Sequence, residues 1–487
     1  MNTYIGIDLG TSAVKLLLVD SNGGILRSAS KSYPIFYPQD GWSEQNPEDW
    51  LSAVKAGLKE LFEGGMVERK DVKGVSFGGQ MHGLVCLDAE DNVIRPAILW
   101  NDGRTEAETA YLNERVGKEK LSAYTANIAF AGFTAPKLLW LKKHEPENFG
   151  RIAKIMLPKD YLAYMMTGVH STDYSDASGT LLLDVQNKCW SKEMCAVCSV
   201  EESWLPKLYE SYEVIGRMKE EYGLLNAVVT AGAGDNAAAA IGVGAVDDGD
   251  CNISLGTSGT LFVAGDTFSV DEKNSLHAFA HATGKWHLMG CILSAASCNR
   301  WWVENIADGD YDGAVRGAEE KLGKNHVFFL PYLMGERSPH NDVNASGAFI
   351  GLRPDTTRAE MGLAVLEGVA FALRDCLEIA RAGGLKIERT KICGGGAKSG
   401  LWREIIANVL GVKVERVCVE EGPAYGAATL AMVGAGEYKN VSEAARGFVR
   451  ARDFVLPKRE LQSAYEEKYQ TFRRLYPALK DVFKEWI

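Results

Sequence analysis

Nothing in these 487 residues approaches the ~20 consecutive apolar positions of a bilayer crossing, so a transmembrane helix is excluded. The chain enters an apolar run within a few residues of Met1, so no cleavable leader is expected. A cytoplasmic location is the expectation. Basic charge is the scarcer sign: 53 Lys and Arg stand against 64 Asp and Glu, a net charge of −11. That balance opposes sequence-independent binding to DNA or to anionic lipid, so neither nucleic acid nor membrane is an expected partner. Paired cysteine motifs are scarce too. Most of the ten cysteines sit singly in apolar runs, as small buried hydrophobes do. Cys195-Ala-Val-Cys198 has no partner pair and no strand-to-helix setting, so two thiols on one helix is the favoured reading over zinc or redox chemistry.

What is present is length, an apolar fraction and a repeat. The chain is too long for one compact core, and 46% apolar residues describe a globular protein of two domains. Residues 5–20 run from an apolar strand to Asp8, turn through Gly10-Thr11-Ser12, and return as a second apolar strand. Such a hairpin turn offers backbone N–H groups and hydroxyls to phosphate oxygens, and Asp8 is suited to a hard cation such as Mg²⁺. Lys15 follows on the return strand, where it either assists phosphate or faces solvent. Residues 254–263 repeat the turn as Leu255-Gly256-Thr257-Ser258, again followed by an apolar run. Two related halves, each with a phosphate-facing hairpin, imply a nucleotide held between them. Ser254 stands where the first copy has Asp8, so only one half brings a carboxylate to the metal.

Other stretches add chemistry. The strand over 72–77 ends in Gly78-Gly79-Gln80-Met81-His82-Gly83, where glycines let backbone approach a ligand and Gln80 and His82 would project polar groups; the residues by themselves slightly favour His82 as a satisfied structural histidine in a turn. Trp100 closes an apolar run before a polar turn and reads equally as core or as a wall against sugar C–H faces. Thr134 is the expected cap of a helix, and residues 171–180 read as a polar loop. Asp235 opens a helix of very small residues after a glycine-rich lead-in. It is an N-cap, or an uncrowded base able to take a proton from a hydroxyl. Gly335-Glu336-Arg337-Ser338-Pro339 is a charged loop without an assigned role. Thr357 and Glu360 form a capping box before a buried central helix. Lys391-Ile392-Cys393 runs into Gly394-Gly395-Gly396-Ala397 and a helix, a common seat for a nucleotide that is neither a Walker A sequence nor a strict dinucleotide fingerprint. Leu461, Tyr465, Tyr469, Phe472 and Tyr476 mark one stripe of a long final helix.

Together these motifs resemble the FGGY carbohydrate kinases. The likeness spans nearly the whole chain: both L-G-T-S hairpins, the segments 132–144 and 347–367, Ala231-Gly-Ala-Gly-Asp-Asn236 and Gly394–Ala397. It implies an α/β fold of two actin/hexokinase-like (ribonuclease H-like) domains, 1–246 and 247–487, with a nucleotide cleft between them and a final helix free to pack back on the first domain. Residues 80–83, 99–104 and 132–137 are similar to the branch acting on D-xylulose; glycerol kinases carry an Arg-Glu pair at Met81-His82. The implied reaction is ATP- and Mg²⁺-dependent phosphorylation of D-xylulose at O5. By resemblance, Met81, His82, Asn236 and Trp100 hold the sugar, and Asp235 accepts the proton. Asp8 holds the metal. Gly10, Thr11, Ser12, Lys15, Gly256, Thr257 and Ser258 face the phosphates, while Gly395, Gly396 and Ala397 face the adenosine. A homodimer is the family-level expectation. The alternatives are a sister kinase for ribulose, fuculose or gluconate, and a non-catalytic sugar or nucleotide sensor.

Overall fold

A computed structural model describes residues 2–485, apart from residues 66, 312 and 420. Each half is built on a seven-stranded mixed sheet. In the first, the order is Val214–Arg217, Val228–Thr230, Val72–Gly79, Thr3–Leu9, Ala13–Asp20, Ile25–Ser32, with Ala233–Gly234 also paired to Val72–Gly79. In the second, it is Ala451–Val455, Lys413–Val417, Arg389–Cys393, Cys251–Leu255, Gly259–Gly265, Trp286–Ile292, His277–Ala280. From the hairpin outward, both sheets pair in the same senses: antiparallel on one side, two pairings in the first sheet and three in the second, and on the other side two parallel neighbours and an antiparallel edge. The repeated L-G-T-S turn therefore marks a duplicated sheet. Among the described residues no helix is long and apolar enough to cross a membrane.

Strand alternation explains how the first sheet is covered. Successive side chains point to opposite faces. Leu16 and Leu18 join Trp50, Val54 and Leu58 of the helix Pro47–Leu61. Leu17 and Val19 join Ala424, Ala428 and Ala431 of the helix Gly422–Gly434, which belongs to the second half of the chain. That helix must approach very closely. A methyl group at Gly6 would stand 1.9 Å from the Ala424 carbonyl oxygen, and one at Gly426 would stand 1.8 Å from that of Ala238. The small residues of Asp235–Gly242 and Gly422–Gly434 are thus what lets the two halves share a helix-to-helix seam.

The capping box forms as read: Thr357 accepts from the Glu360 N–H, and Glu360 accepts from the Thr357 N–H. Three expectations need correction. Residues 171–180 are not a loop but a strand (Ser171–Asp173), a helical turn (Tyr174–Ala177) and a 3₁₀ turn (Ser178–Thr180), most of it buried. Asp173 organises them by accepting from the Ser175 and Asp176 N–H groups and pairing with the buried Lys159 at 3.0 Å. Thr134 does not cap its helix; Phe133 occupies the cap position, and the Thr134 hydroxyl donates to the His82 carbonyl. The final stripe is split between Arg459–Phe472 and Leu475–Glu485. Its first helix packs on the second half, not on the first. Tyr465, Tyr469 and Phe472 surround Phe371, and the Tyr465 hydroxyl and Lys468 ammonium both meet the buried Glu367 of the central helix Arg358–Ala382.

Candidate active site

A cavity of about 220 Å³ opens where the halves face each other. Met81, His82, Trp100, Phe133, Asp235 and Asn236 line it from the first half, and Ser258, Thr260, His277 and Arg337 from the second. All five predicted sugar-side residues therefore meet in one place, although more than 150 positions separate the first from the last. Trp100 is 43% exposed, and its indole N–H donates to the Thr11 hydroxyl at 2.9 Å, tying the cavity wall to the first hairpin turn. The Asn236 amide lies 3.8 Å from the Met81 sulfur. Gln80 departs from expectation. It is buried and turned inward, donating to Gln45 at 3.0 Å, and lines no part of this cavity.

His82 is held by backbone strain and a buried lysine. It adopts φ +69°, and the Gly83 N–H bonds the Met81 carbonyl, the pattern of a rare, strained three-residue turn. Its ring lies 4.6 Å from that of Phe133 in a stack, and its Nδ1 is 2.8 Å from the Gly179 carbonyl. A carbonyl accepts only, so Nδ1 carries the proton and Nε2 is left as an acceptor. Burial and the nearby Lys137 push the ring's pKa down to about 3, which keeps it neutral. Lys137 donates to the His82 carbonyl at 2.9 Å and to the Gly132 carbonyl at 2.6 Å. The stretch Gly132-Phe-Thr-Ala-Pro-Lys137 thus acts on the cavity mainly by fixing His82.

Asp235 is the first residue of its helix, with Gly234 at the cap position. The Ala233–Gly234 strand runs parallel to Gly78–Gly79, and the Gly234 N–H donates to the Ser175 hydroxyl at 3.1 Å, so both sides of the turn are pinned. Burial raises the Asp235 carboxyl to about 6, opposed by the Asn236 N–H that it accepts at 2.7 Å. Asp8 lies near enough to feel it. Burial first, and then the Asp235 charge, raise Asp8 to about 7, while Lys15, its partner in the hairpin register, pulls the other way. Two carboxyl groups that resist ionising together form the acidic end of the cleft.

A second cavity, of about 500 Å³, lies on the second half. Gly256, Thr257, Ser297, Asn299, Gly395 and Gly396 contribute to its wall. The second L-G-T-S turn therefore stands between the cavities, with Gly256 and Thr257 on one side and Ser258 on the other. The turn is fastened from behind: the Ala296 N–H donates to the Gly256 carbonyl at 2.8 Å and the Ser297 hydroxyl to that of Thr257 at 2.8 Å. Ala397 does not face this space. It is buried in the core below, its N–H bonded to the Gly394 carbonyl, because the three-glycine run curls into a 3₁₀ turn that points it inward. Gly10, Thr11, Ser12 and Lys15 contribute to neither wall, and Lys15 is ion-paired with Glu421 of the second half.

Sequence reading missed the second half's share of the first cavity. His277, Met289, Cys291 and Arg337 line it, none of them beside a glycine run that would flag it, and Phe130 of the first half was missed as well. The one available signal was an unexplained charged loop at 335–339. Among the described residues no group of three or more His, Cys, Asp or Glu side chains comes together as a metal cage.

Comparison with known proteins agrees with this geometry. Residues 3–242 match the N-terminal domain model of the FGGY family of carbohydrate kinases, and residues 251–435 match its C-terminal domain model. The xylulose kinase of Escherichia coli (strain K12) is 41% identical over 483 residues, covering 98% of this chain and 99% of that protein. A crystal structure described as a xyloylose kinase from Brucella ovis superposes with a TM-score of 0.94 at 40% identity, over 99% of this chain and 100% of that one. A gluconate kinase from Lactobacillus acidophilus superposes with a TM-score of 0.94 at 27% identity, over the full length of both chains.

Proposed function

The chain belongs to the FGGY family of carbohydrate kinases, and we propose that its reaction is transfer of the ATP γ-phosphoryl group to O5 of D-xylulose. One observation carries the reading. Asp235 and His82 of one half share a cavity with Ser258 of the other, and the turn holding Ser258 borders a larger cavity suited to a nucleotide. The relatives named xylulose kinase support D-xylulose as the sugar.

Phosphoryl transfer asks a protein chiefly for positioning and charge stabilisation. In the proposed division, residues 1–246 hold the sugar and residues 247–487 the ATP. Met81, His82, Asn236 and Trp100 set the ketose so that O5 lies at Asp235. Asp235 orients that hydroxyl and takes its proton, a task matched to a carboxyl raised to about 6. Gly256, Thr257 and Ser258, with Gly10, Thr11 and Ser12 opposite, receive the phosphates, while Gly395 and Gly396 border the adenosine side. Lys15 and Ala397 fall outside this set, the first being paired with Glu421 and the second buried. Asp8 suits Mg²⁺: its buried carboxyl feels the Asp235 charge, and Mg²⁺ commonly takes one or two carboxylates plus phosphate and water. When bound, Mg²⁺ neutralises charge on the phosphates. Asp8 is the residue that would hold it.

Water competes with O5 as the acceptor, so the halves should close over the sugar before chemistry. ATP hydrolysis without sugar is expected to be far slower than ADP release with it. Equal rates would remove closure from the scheme. A cytoplasmic homodimer completes the proposal, on family likeness alone; light scattering in solution tests the dimer. A gluconate kinase of equal TM-score makes gluconate the second reading.

The deciding experiment is ADP release with Mg-ATP over a panel of ketoses, polyols and gluconate, for wild type and Asp235→Ala. A D-xylulose signal lost in Asp235→Ala supports both sugar and base. Turnover of another sugar, still lost in the variant, overturns the substrate and keeps the mechanism. No sugar-dependent ADP refutes the kinase reaction and favours a sensor.

A further inference from the structure

We infer that Arg337 binds the end of the sugar remote from the phosphorylated hydroxyl, and so helps decide which sugar is accepted; this rests on the proposed reaction in the same cavity. The cavity has two unlike ends. Asp235, with Asp8 beside it, makes one end acidic. Arg337 and His277 gather on Phe130, and the Arg337 charge is felt by both the His277 and His82 imidazoles, whereas burial and the Asn236 N–H, not that charge, set the Asp235 carboxyl; the nitrogen groups thus form a part of the cavity separate from Asp235. A chain of hydroxyls that presents its attacking oxygen to Asp235 must place its far oxygens among these groups.

The loop carrying Arg337 is built to hold it there. One oxygen of the buried Glu336 accepts the N–H groups of Leu293 at 2.9 Å and Arg337 at 2.8 Å. Ser338 closes the other side, its N–H donating to the Cys291 carbonyl and its hydroxyl accepting the Cys291 N–H, both at 3.0 Å. The loop is therefore riveted to the end of the strand Trp286–Ile292, which helps wall the cavity. The guanidinium itself forms no ion pair among the described residues. Its packing partner is the face of Phe130, 5.3 Å away, and Phe130 in turn abuts His277 at 5.0 Å. Glu336 beside it forms no ion pair with it: one carboxyl oxygen accepts the two backbone N–H groups, and burial raises that carboxyl to about 8, towards its neutral form, although the Arg337 charge pulls the other way.

The chemistry fits a keto end. A guanidinium has five N–H donors and no acceptor, and a carbonyl oxygen only accepts. The half-buried cation can therefore donate to the C2 carbonyl of a ketopentose, while His82 Nε2, the nitrogen not bonded to Gly179, and the neutral His277 ring can meet the C1 hydroxyl. A polyol lacking that carbonyl loses the matched acceptor.

The test is steady-state kinetics of wild type, Arg337→Met and Arg337→Lys with D-xylulose, xylitol and D-gluconate, with thermal unfolding of each. Arg337→Met is expected to raise the KM for D-xylulose roughly ten- to hundredfold while kcat changes little, the usual cost of a hydrogen bond to a charged group. The preference for D-xylulose over xylitol should fall by a similar factor, and Arg337→Lys should recover part of both. An unchanged KM in Arg337→Met, or a fall in kcat and melting temperature alone, overturns the assignment and leaves Arg337 as a loop anchor. If the wild type instead turns over D-gluconate, the substrate reading fails, and the same KM comparison with that sugar decides Arg337 separately.

Discussion

Gln45→Leu should cost the protein several kilocalories per mole although Gln45 touches neither cavity. Gln45 is wholly buried and serves four neighbours. Its amide donates to the Thr11 carbonyl at 2.6 Å and to the Pro34 carbonyl at 3.3 Å. Its carbonyl accepts from the Trp50 indole and from the Gln80 amide, each at 3.0 Å. Leucine keeps the shape and removes every one of these bonds. The Trp50 N–H, the Gln80 amide and the Thr11 carbonyl are then left inside without partners. At about 1 kcal/mol for each, the low end for orphaned buried groups, the loss is about 3 kcal/mol. Gln80→Leu removes one of those orphans in advance. In a double-mutant cycle the pair should therefore lose about 1 kcal/mol less than the sum of the singles. Urea unfolding followed by tryptophan fluorescence measures this, since Trp50 reports on the affected core. Because Thr11 sits in the first hairpin turn and holds Trp100, turnover should fall with stability. A Gln45→Leu protein within about 0.5 kcal/mol of wild type, or strict additivity with Gln80→Leu, would refute the network argument.

Asp235→Ala should lower sugar-dependent ADP release by roughly a hundredfold or more, the usual share of general base catalysis. In the wild type, kcat/KM should fall as pH drops through about 6, because the ionised carboxylate is the active form and burial has raised its pKa; a profile flat down to pH 5 contradicts that role. Gly426→Ala forces a methyl into the Ala238 carbonyl and should destabilise by about 1–3 kcal/mol or more, as overpacking does, with loss of activity from the shared seam; urea denaturation and turnover check it. Lys137→Met should raise the sugar KM by freeing His82. Burial lowers Lys137 to about 7, so the folded state favours its neutral form. Stability from this group should grow between pH 7 and the ordinary lysine value, by up to about 1.4 kcal/mol per pH unit. The wild-type-minus-variant stability difference should accordingly rise from pH 7 to 9, and a difference that falls would reverse the sign of the argument.

Much of this molecule was legible before any fold was known. The two hairpins announce themselves because a strand is set by a local alternation and its turn by a glycine and two hydroxyls in sequence. The Thr357–Glu360 box and the Asp235 junction are likewise local events, fixed by groups within a few residues of one another. The family likeness drew on these same short patterns. Gln80 shows where that reach ends. A polar side chain after two glycines reads as a ligand group, yet it is buried against Gln45, a contact made across 35 positions. Ala397 and Lys15 misled in the same way, one turned into the core by its own 3₁₀ turn and the other captured by Glu421. The polar run 171–180 read as a loop, yet it is buried, its carboxylates held by Lys159 and, for Asp173, by backbone N–H and serine hydroxyl groups. His277 had no local signature and Arg337 only a charged loop without an assigned role, because what matters about them is the cavity they face, and that cavity exists only once the second half stands opposite the first. Composition and spacing determined the elements, the repeat and the acidic end of the cleft. The second wall of the sugar pocket, and which polar residues point into it, were decided by long-range packing, since burial and orientation depend on neighbours the chain brings from hundreds of residues away.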